Sequence, residues 1–192
     1  MLVHFGAATL ETSEATGATV TSRRVRFGSQ PEQIVWLRKM IDEYREPYII
    51  RARARDIAFR QRGCPPRDQA CQAVAIAGWV QDTITYVNEM PETFQTPPTT
   101  IAEGYGDCDD FSTLIGALCE SIGILVELVG MQWTEGGVEY YRHIFPRALV
   151  PIGGRVVRVP LDATLTVPVD GTQDPIRIAL ARGVRNLRVF AL

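Results

Sequence analysis

The chain has 192 residues, 46% of them apolar and 22% charged, with a net charge of −2 at pH 7. That length makes one domain with at most an appended arm, and a domain of this size hides roughly 70% of its unfolded surface. The charge balance gives no nucleic-acid footprint, and no apolar run reaches the roughly 18 residues of a membrane span.

Residues 1–30 read as an extended arm. Its first residues, Met1-Leu2-Val3-His4-Phe5-Gly6, lack a basic n-region and a long apolar run, so no signal peptide is read. Thr19 to Phe27 alternates and is β-branched, which predicts an extended segment or edge strand. The domain proper is expected over 31–192. Ser29 or Gln30 caps a first helix, with Pro31 tolerated in its first turn and Ile34, Leu37, Ile41 and Tyr44 on one face. After Pro47, Tyr48 to Gln61 fits strand or helix; the Ala and Arg content favours helix. The arginines from Arg45 to Arg62 resemble a ligand-binding patch, but a solvated helix face is the favoured reading.

Gly63-Cys64-Pro65-Pro66 is a loop, and a helix is predicted from about Arg67 to Val87 on the spacing of Ala70, Val74, Ala77, Val80, Ile84 and Val87. Asn88 to Thr100, with Pro91, Pro97 and Pro98, is expected to cross the surface as a turn-rich loop. Then comes Gly104-Tyr105-Gly106-Asp107-Cys108-Asp109-Asp110, followed by Leu114, Ile115, Leu118 and Ile122 on one helical face. Cys108 should open a buried helix capped by Asp107 and stopped by Gly123. A helix N-terminus lowers a thiol's pKa. Asp109 and Asp110 act against that effect and are read, with Asp107, as first-turn acids that cap and orient. A calcium role for the three is the lesser reading.

Beyond Gly123 the pattern turns to strands: Ile124–Trp133, Val138–Phe145 with an irregularity expected at Pro146, and Arg155–Leu161, in an antiparallel meander. The tail has turn signals at Asp170-Gly171 and Asp174-Pro175 and closes in a last strand over Asn186–Leu192. Cys108 and Cys119 are about 16 Å apart along one helix and cannot bridge. Cys64 and Cys71 can pair, although a cytosolic chain keeps such thiols reduced. With no C-x-x-C and only His4 and His143 as histidines, no metal site is read.

His143 opens one strand run and Asp162 follows the next, so a thiol, an imidazole and a carboxylate come in the order that acyl transfer needs. Gly106-Asp107-Cys108-Asp109-Asp110, the lone strand histidine, Leu161-Asp162-Ala163-Thr164, and upstream Gly78-Trp79-Val80 and Gln95-Thr96-Pro97 together resemble the transglutaminase-like superfamily, in particular its small bacterial and phage-type members. The likeness spans about 68–164. It implies an α+β, papain-like fold with N-terminal helices on an antiparallel sheet. It also implies a catalytic triad of Cys108 as nucleophile, His143 as base and Asp162 orienting the imidazole, acting on a protein or peptide substrate without a cofactor. The oxyanion donors proposed are the Cys108 N–H, with Trp79 or Tyr105 as the second. Amide hydrolysis by a protease is the first reading and crosslinking acyl transfer the second. The alternative is a non-catalytic assembly module, such as a phage virion component, self-associating through the arm. The expected location is cytoplasmic, or the virion for the alternative; no membrane or nucleic-acid partner is expected.

Overall fold

The computed structural model describes residues 9–15, 18–24, 30–88, 94–135, 138–184 and 187–192, with side chains from residue 32 onward except 134–142. The arm is a hairpin of β1 (Thr9–Ala15) and β2 (Ala18–Arg24), running from the pair Thr9↔Arg24 to Ala15↔Ala18. The extended segment read from Thr19 is thus observed to Arg24; residues 25–27 lie outside the described residues. β1 was not foreseen.

Helix α1 (Gln30–Tyr44) buries Ile34, Leu37, Met40 and Ile41. Helix α2 (Tyr48–Arg55) buries Ile50 and Ala54 and continues as a π-helical turn over Asp56–Gln61, closed by Arg62 N–H donating to the Ile57 carbonyl at 3.1 Å. The wider turn places the adjacent Ile57 and Ala58 both in the core. Much of the arginine series is spoken for within the fold. Arg45 meets Glu120 at 3.1 Å, Arg60 meets Asp56, Arg62 meets Asp82, and Arg53 lies over Trp79.

Cys64 and Cys71 form a disulfide, Cα to Cα 5.7 Å, across the proline loop. Helix α3 (Gln69–Thr83) begins at Asp68, whose carboxylate accepts from Cys71 N–H at 2.9 Å. It stops four residues short of the expected Val87. The run Thr83-Ile84-Thr85-Tyr86-Val87 is β-branched and aromatic, and it leaves the helix to form β3 (Thr85–Tyr86).

The segment expected as a surface loop is instead largely core. Residues 89–93 lie outside the described residues, but Phe94, Gln95, Thr96, Thr99 and Thr100 are all buried. Phe94 and Gln95 form β4, which receives β2 through Ser22↔Gln95 and Arg23↔Phe94. Pro97 opens helix α4 (Pro97–Glu103) at a position where its missing N–H has no role. Gly104 ends that helix at φ +72°, and β5 (Tyr105–Gly106) pairs in parallel with β3.

Helix α5 (Cys108–Ser121) is central, packed against α1, α2, α3, α4 and the main sheet. Gly116 lets α1 come close, since a Cβ there would collide with Ile41. The sheet consists of β6 (Val126–Glu135), β7 (Val138–Ile152), β8 (Arg155–Pro160) and β9 (Arg188–Ala191), in the order β8-β7-β6-β9, all antiparallel. One face, with Val126, Leu128, Ile144, Ala148 and Val150, packs on the helices. The other, with Val129, Met131 and Phe145, packs on Ala179 of helix α6 (Pro175–Ala181).

β7 runs straight through Pro146; the register irregularity lies at Gln132/Trp133 instead. The bonding direction explains this. Leu149 N–H donates to Leu125 at 2.8 Å and Leu161 N–H donates to Pro146 at 2.9 Å. Bonding direction alternates along an antiparallel strand, so odd β7 residues bond toward β6 and even ones toward β8. Pro146 therefore forfeits a single bond at the end of β8, while its carbonyl is used. No helix among the described residues is long and apolar enough to cross a membrane.

Candidate active site

Cys108 is the first residue of α5, so its backbone N–H is among those with no partner inside the helix. The helix start is held by a capping box. Asp107 accepts from Asp109 N–H at 3.1 Å, and Asp110 accepts from Asp107 N–H at 3.3 Å. The other Asp110 oxygen accepts from Gln95 N–H at 2.6 Å, tying β4 to the nucleophile helix. Asp109 accepts from the Gln33 amide at 3.1 Å, tying in α1. Gly106 makes room for this: a Cβ there would stand 2.8 Å from the Asp110 Cβ. Asp107 and Asp110 thus cap α5, and Asp109 and Asp110 tie α1 and β4 to its start. The three acids also bring one carboxylate oxygen each within 4.8 Å of the others.

The Ser112 hydroxyl lies 2.6 Å from the Cys108 carbonyl oxygen and 3.0 Å from that of Ile144, pinning β7 to the first turn of α5. The Cys108 thiol is hydrogen-bonded by the Ile144 backbone, one residue from His143. His143 Nε2 meets Asp162 Oδ2 at 2.7 Å. Asp162 is 2% exposed, and its other oxygen accepts from both Thr164 N–H (3.0 Å) and the Thr164 hydroxyl (2.7 Å). Sequence reasoning gave Thr164 no role, although Asp-x-Thr is a recognisable local turn in which the hydroxyl and amide serve the acid. Nε2 is thus the ring nitrogen turned to Asp162. The imidazole is stacked on Phe145, centroids 5.9 Å apart.

The electrostatics depart from the low-pKa thiol expected at a helix start. Cys108 is half-buried as a residue, and burial of the thiol pushes its pKa well up. The carboxylates of Asp109, Asp107 and Asp162 push the same way, and only the Ile144 bond opposes them. Of the oxyanion candidates, Trp79 is buried in the helical core with the Arg53 guanidinium 5.7 Å from its ring centroid. Tyr105 is 39% exposed on β5. Cys119 is a buried core residue, as expected.

A family profile described as transglutaminase-like superfamily matches residues 55–154, which is 100 of the 192. No curated protein matches the chain. Among solved structures, one described as a "Putative Cysteine Protease from Cytophaga hutchinsonii" is 17% identical, with 97% of this chain and 75% of that one covered and a TM-score of 0.48. Legionella pneumophila LapG is 13% identical, with 83% of each chain covered and a TM-score of 0.46. At these values the family assignment rests on the profile.

Proposed function

We propose that this chain, which belongs to the transglutaminase-like superfamily, is a cysteine-dependent hydrolase or acyltransferase for protein or peptide amides. The observation that supports this best is the relay from Thr164 through Asp162 to His143, which adjoins on β7 the Ile144 backbone that meets the Cys108 thiol. His143 Nδ1 takes the Cys108 proton as sulfur bonds to the amide carbon. The C–N bond then breaks as the imidazolium gives that proton to the leaving nitrogen, and a thioester remains. Water, or an amine, adds to the thioester with His143 again as base, and the thiol is regenerated. Because burial and three acids favour the neutral thiol, proton transfer accompanies attack rather than preceding it. The Cys108 N–H supplies one donor for the oxyanion. Hydrolysis is the first reading and transfer to an amine the second.

The test follows fluorescent casein cleavage and dansylcadaverine incorporation into casein by the wild type, Cys108→Ala and His143→Ala. Activity of either kind in the wild type that both variants lack supports the reading. Activity that survives Cys108→Ala sinks it.

The second reading is an assembly module without turnover. The same observation that shapes the mechanism favours it: a thiol held protonated by burial and acids suits a fold used as a scaffold. Its arm would then pair with another subunit, and a stable monomer of 21.3 kDa in size-exclusion chromatography would count against that. The Cys64–Cys71 bridge supports an oxidising working compartment over the expected cytosol.

A further inference from the structure

Strand β8 has β7 on one side and no strand on the other among the described residues. Its residues Arg155 to Arg158 are all exposed, whereas Val159 and Pro160 are buried. The ladder fixes which backbone groups face outward. Leu161 N–H bonds the Pro146 carbonyl, and the register pairs Ala148 with Val159 and Val150 with Val157. By alternation, the odd residues of β8 bond to β7, and the N–H and C=O of Val156 and Arg158 point to the open side. Pro160 limits that row at its buried end, where it offers a carbonyl alone. Along Arg155–Arg158 the edge has neither a proline nor a lysine, the residues that usually blunt an edge strand.

The side chains carry an unusual pattern for such an edge. Val156 is 58% exposed, Val157 41%, and Ile152 at the hairpin tip 51%. Arginines flank the valine pair, so the edge reads Arg-Val-Val-Arg. Arg155 makes no ion pair among the described residues. Arg158 meets Glu127 at 2.9 Å yet keeps 59% of its side chain exposed. This palindrome selects its own occupant. A second copy, paired symmetrically and antiparallel, must set outward residues opposite outward residues, Val156 or Arg158 against Val156 or Arg158, and no such register gives either arginine an acidic partner. An extended peptide with an acidic, apolar, apolar, acidic core meets both arginines with opposite charge in either strand direction.

We infer that the open edge of β8 docks such a peptide as an added strand, with the Val156 and Arg158 backbone groups giving the pairing and the two arginines the selection. The inference does not depend on turnover at Cys108. β8 leads through Leu161 into Asp162, so a docked strand lies in line with the candidate active site.

The test is fluorescence anisotropy of a fluorescein-labelled peptide with a Glu-Val-Val-Glu core, beside one with Lys-Val-Val-Lys. The wild type should bind the acidic peptide saturably, and more weakly as salt rises. Val156→Pro deletes one outward N–H and no ladder bond, so melting and Cys108 alkylation should stay at wild-type values while binding weakens roughly tenfold or more. Arg155→Glu leaves the backbone intact and should shift preference toward the lysine peptide, which keeps the inference testable if the proline variant misfolds. Equal binding by both variants, equal binding of both peptides, or no saturable binding by the wild type overturns it. Sedimentation showing a wild-type dimer that Val156→Pro dissolves assigns the edge to a second copy and overturns it as well.

Discussion

The imidazole of His143 and the ring of Phe145 lie stacked, with centroids 5.9 Å apart and planes 18° from parallel. They are two residues apart on β7 and share its face. The ladder continues along that face: the Arg147 guanidinium lies 5.2 Å from the Phe145 centroid and is held 3.1 Å from both oxygens of Asp174. Asp174 is the N-cap of α6. Helix α6 therefore backs the candidate base through three side chains.

Replacing Phe145 by Leu removes the stack while leaving an apolar side chain in the core. The stack itself contributes about 0.5–1.5 kcal/mol beyond burial. Thermal melting should fall accordingly, and Cys108 alkylation near neutral pH should slow as the imidazole loses its orientation. Lowered stability with an unchanged alkylation rate would show that Phe145 is packing alone.

The thiol at Cys108 predicts an unusual pH response. Its pKa is raised by burial and by Asp109, Asp107 and Asp162, so iodoacetamide should alkylate it slowly at neutral pH and faster as pH rises above the free-thiol value of about 8.5. Asp109→Asn keeps an acceptor for Gln33 and removes a charge, so neutral-pH alkylation should quicken, by up to about tenfold for one unit of pKa. Fast alkylation of the wild type at pH 6 would overturn this. The sign for stability follows. Cys108 and Cys119 both have folded values raised above the unfolded one. Their stabilising contribution is complete below about pH 8.5 and is lost as pH rises toward the folded values. Urea midpoints should decline at alkaline pH.

The two glycines before the nucleophile have different roles, and substitution separates them. Gly104 sits at φ +72° in open space, so Gly104→Ala should cost about 1–2 kcal/mol in backbone strain alone. Gly106 has no positive φ, but a Cβ there meets Asp110 at 2.8 Å and its Oδ2 at 2.9 Å. Gly106→Ala must displace Asp110 from Asp107 N–H and Gln95 N–H. It should cost about 1–3 kcal/mol and also alter Cys108 alkylation, which Gly104→Ala should leave unchanged. Equal alkylation rates for the two variants would refute the distinction.

What the residues disclosed in advance was local chemistry. Asp107 as cap, Cys108 at the helix start and a late antiparallel meander follow from spacing and residue type, and the structure has all three. His143 and Asp162 come together, 2.7 Å apart, although nothing in their spacing fixes that contact. The misses were places where one signal serves two structures. Asp174-Pro175 reads as a turn, but an Asp cap followed by proline at the first helical position is also how a helix begins. Pro97-Pro98 misled for the same reason. The two-residue parallel pairing of Thr85 with Tyr105 ended α3 early, and a contact that remote leaves no periodic trace.

The Cys64–Cys71 bridge gives a last prediction, because it closes a loop of known length at the end of the π-helical turn. The sequence separation is 7. A loop that short removes about 2–3 kcal/mol of unfolded-state entropy when crosslinked. For a domain of this size, that corresponds to a loss of roughly 5–10 °C in melting temperature under reductant. Cys64 is buried and its N–H donates to the Ala58 carbonyl at 2.9 Å, so the reduced loop keeps an anchor and the fold should survive. Melting curves with and without tris(2-carboxyethyl)phosphine measure the difference, with Cys64→Ala/Cys71→Ala as the control that must lose its response to reductant. Identical wild-type curves in the two buffers would mean that the pair is not bridged in solution, and the argument for an oxidising compartment would fall with it.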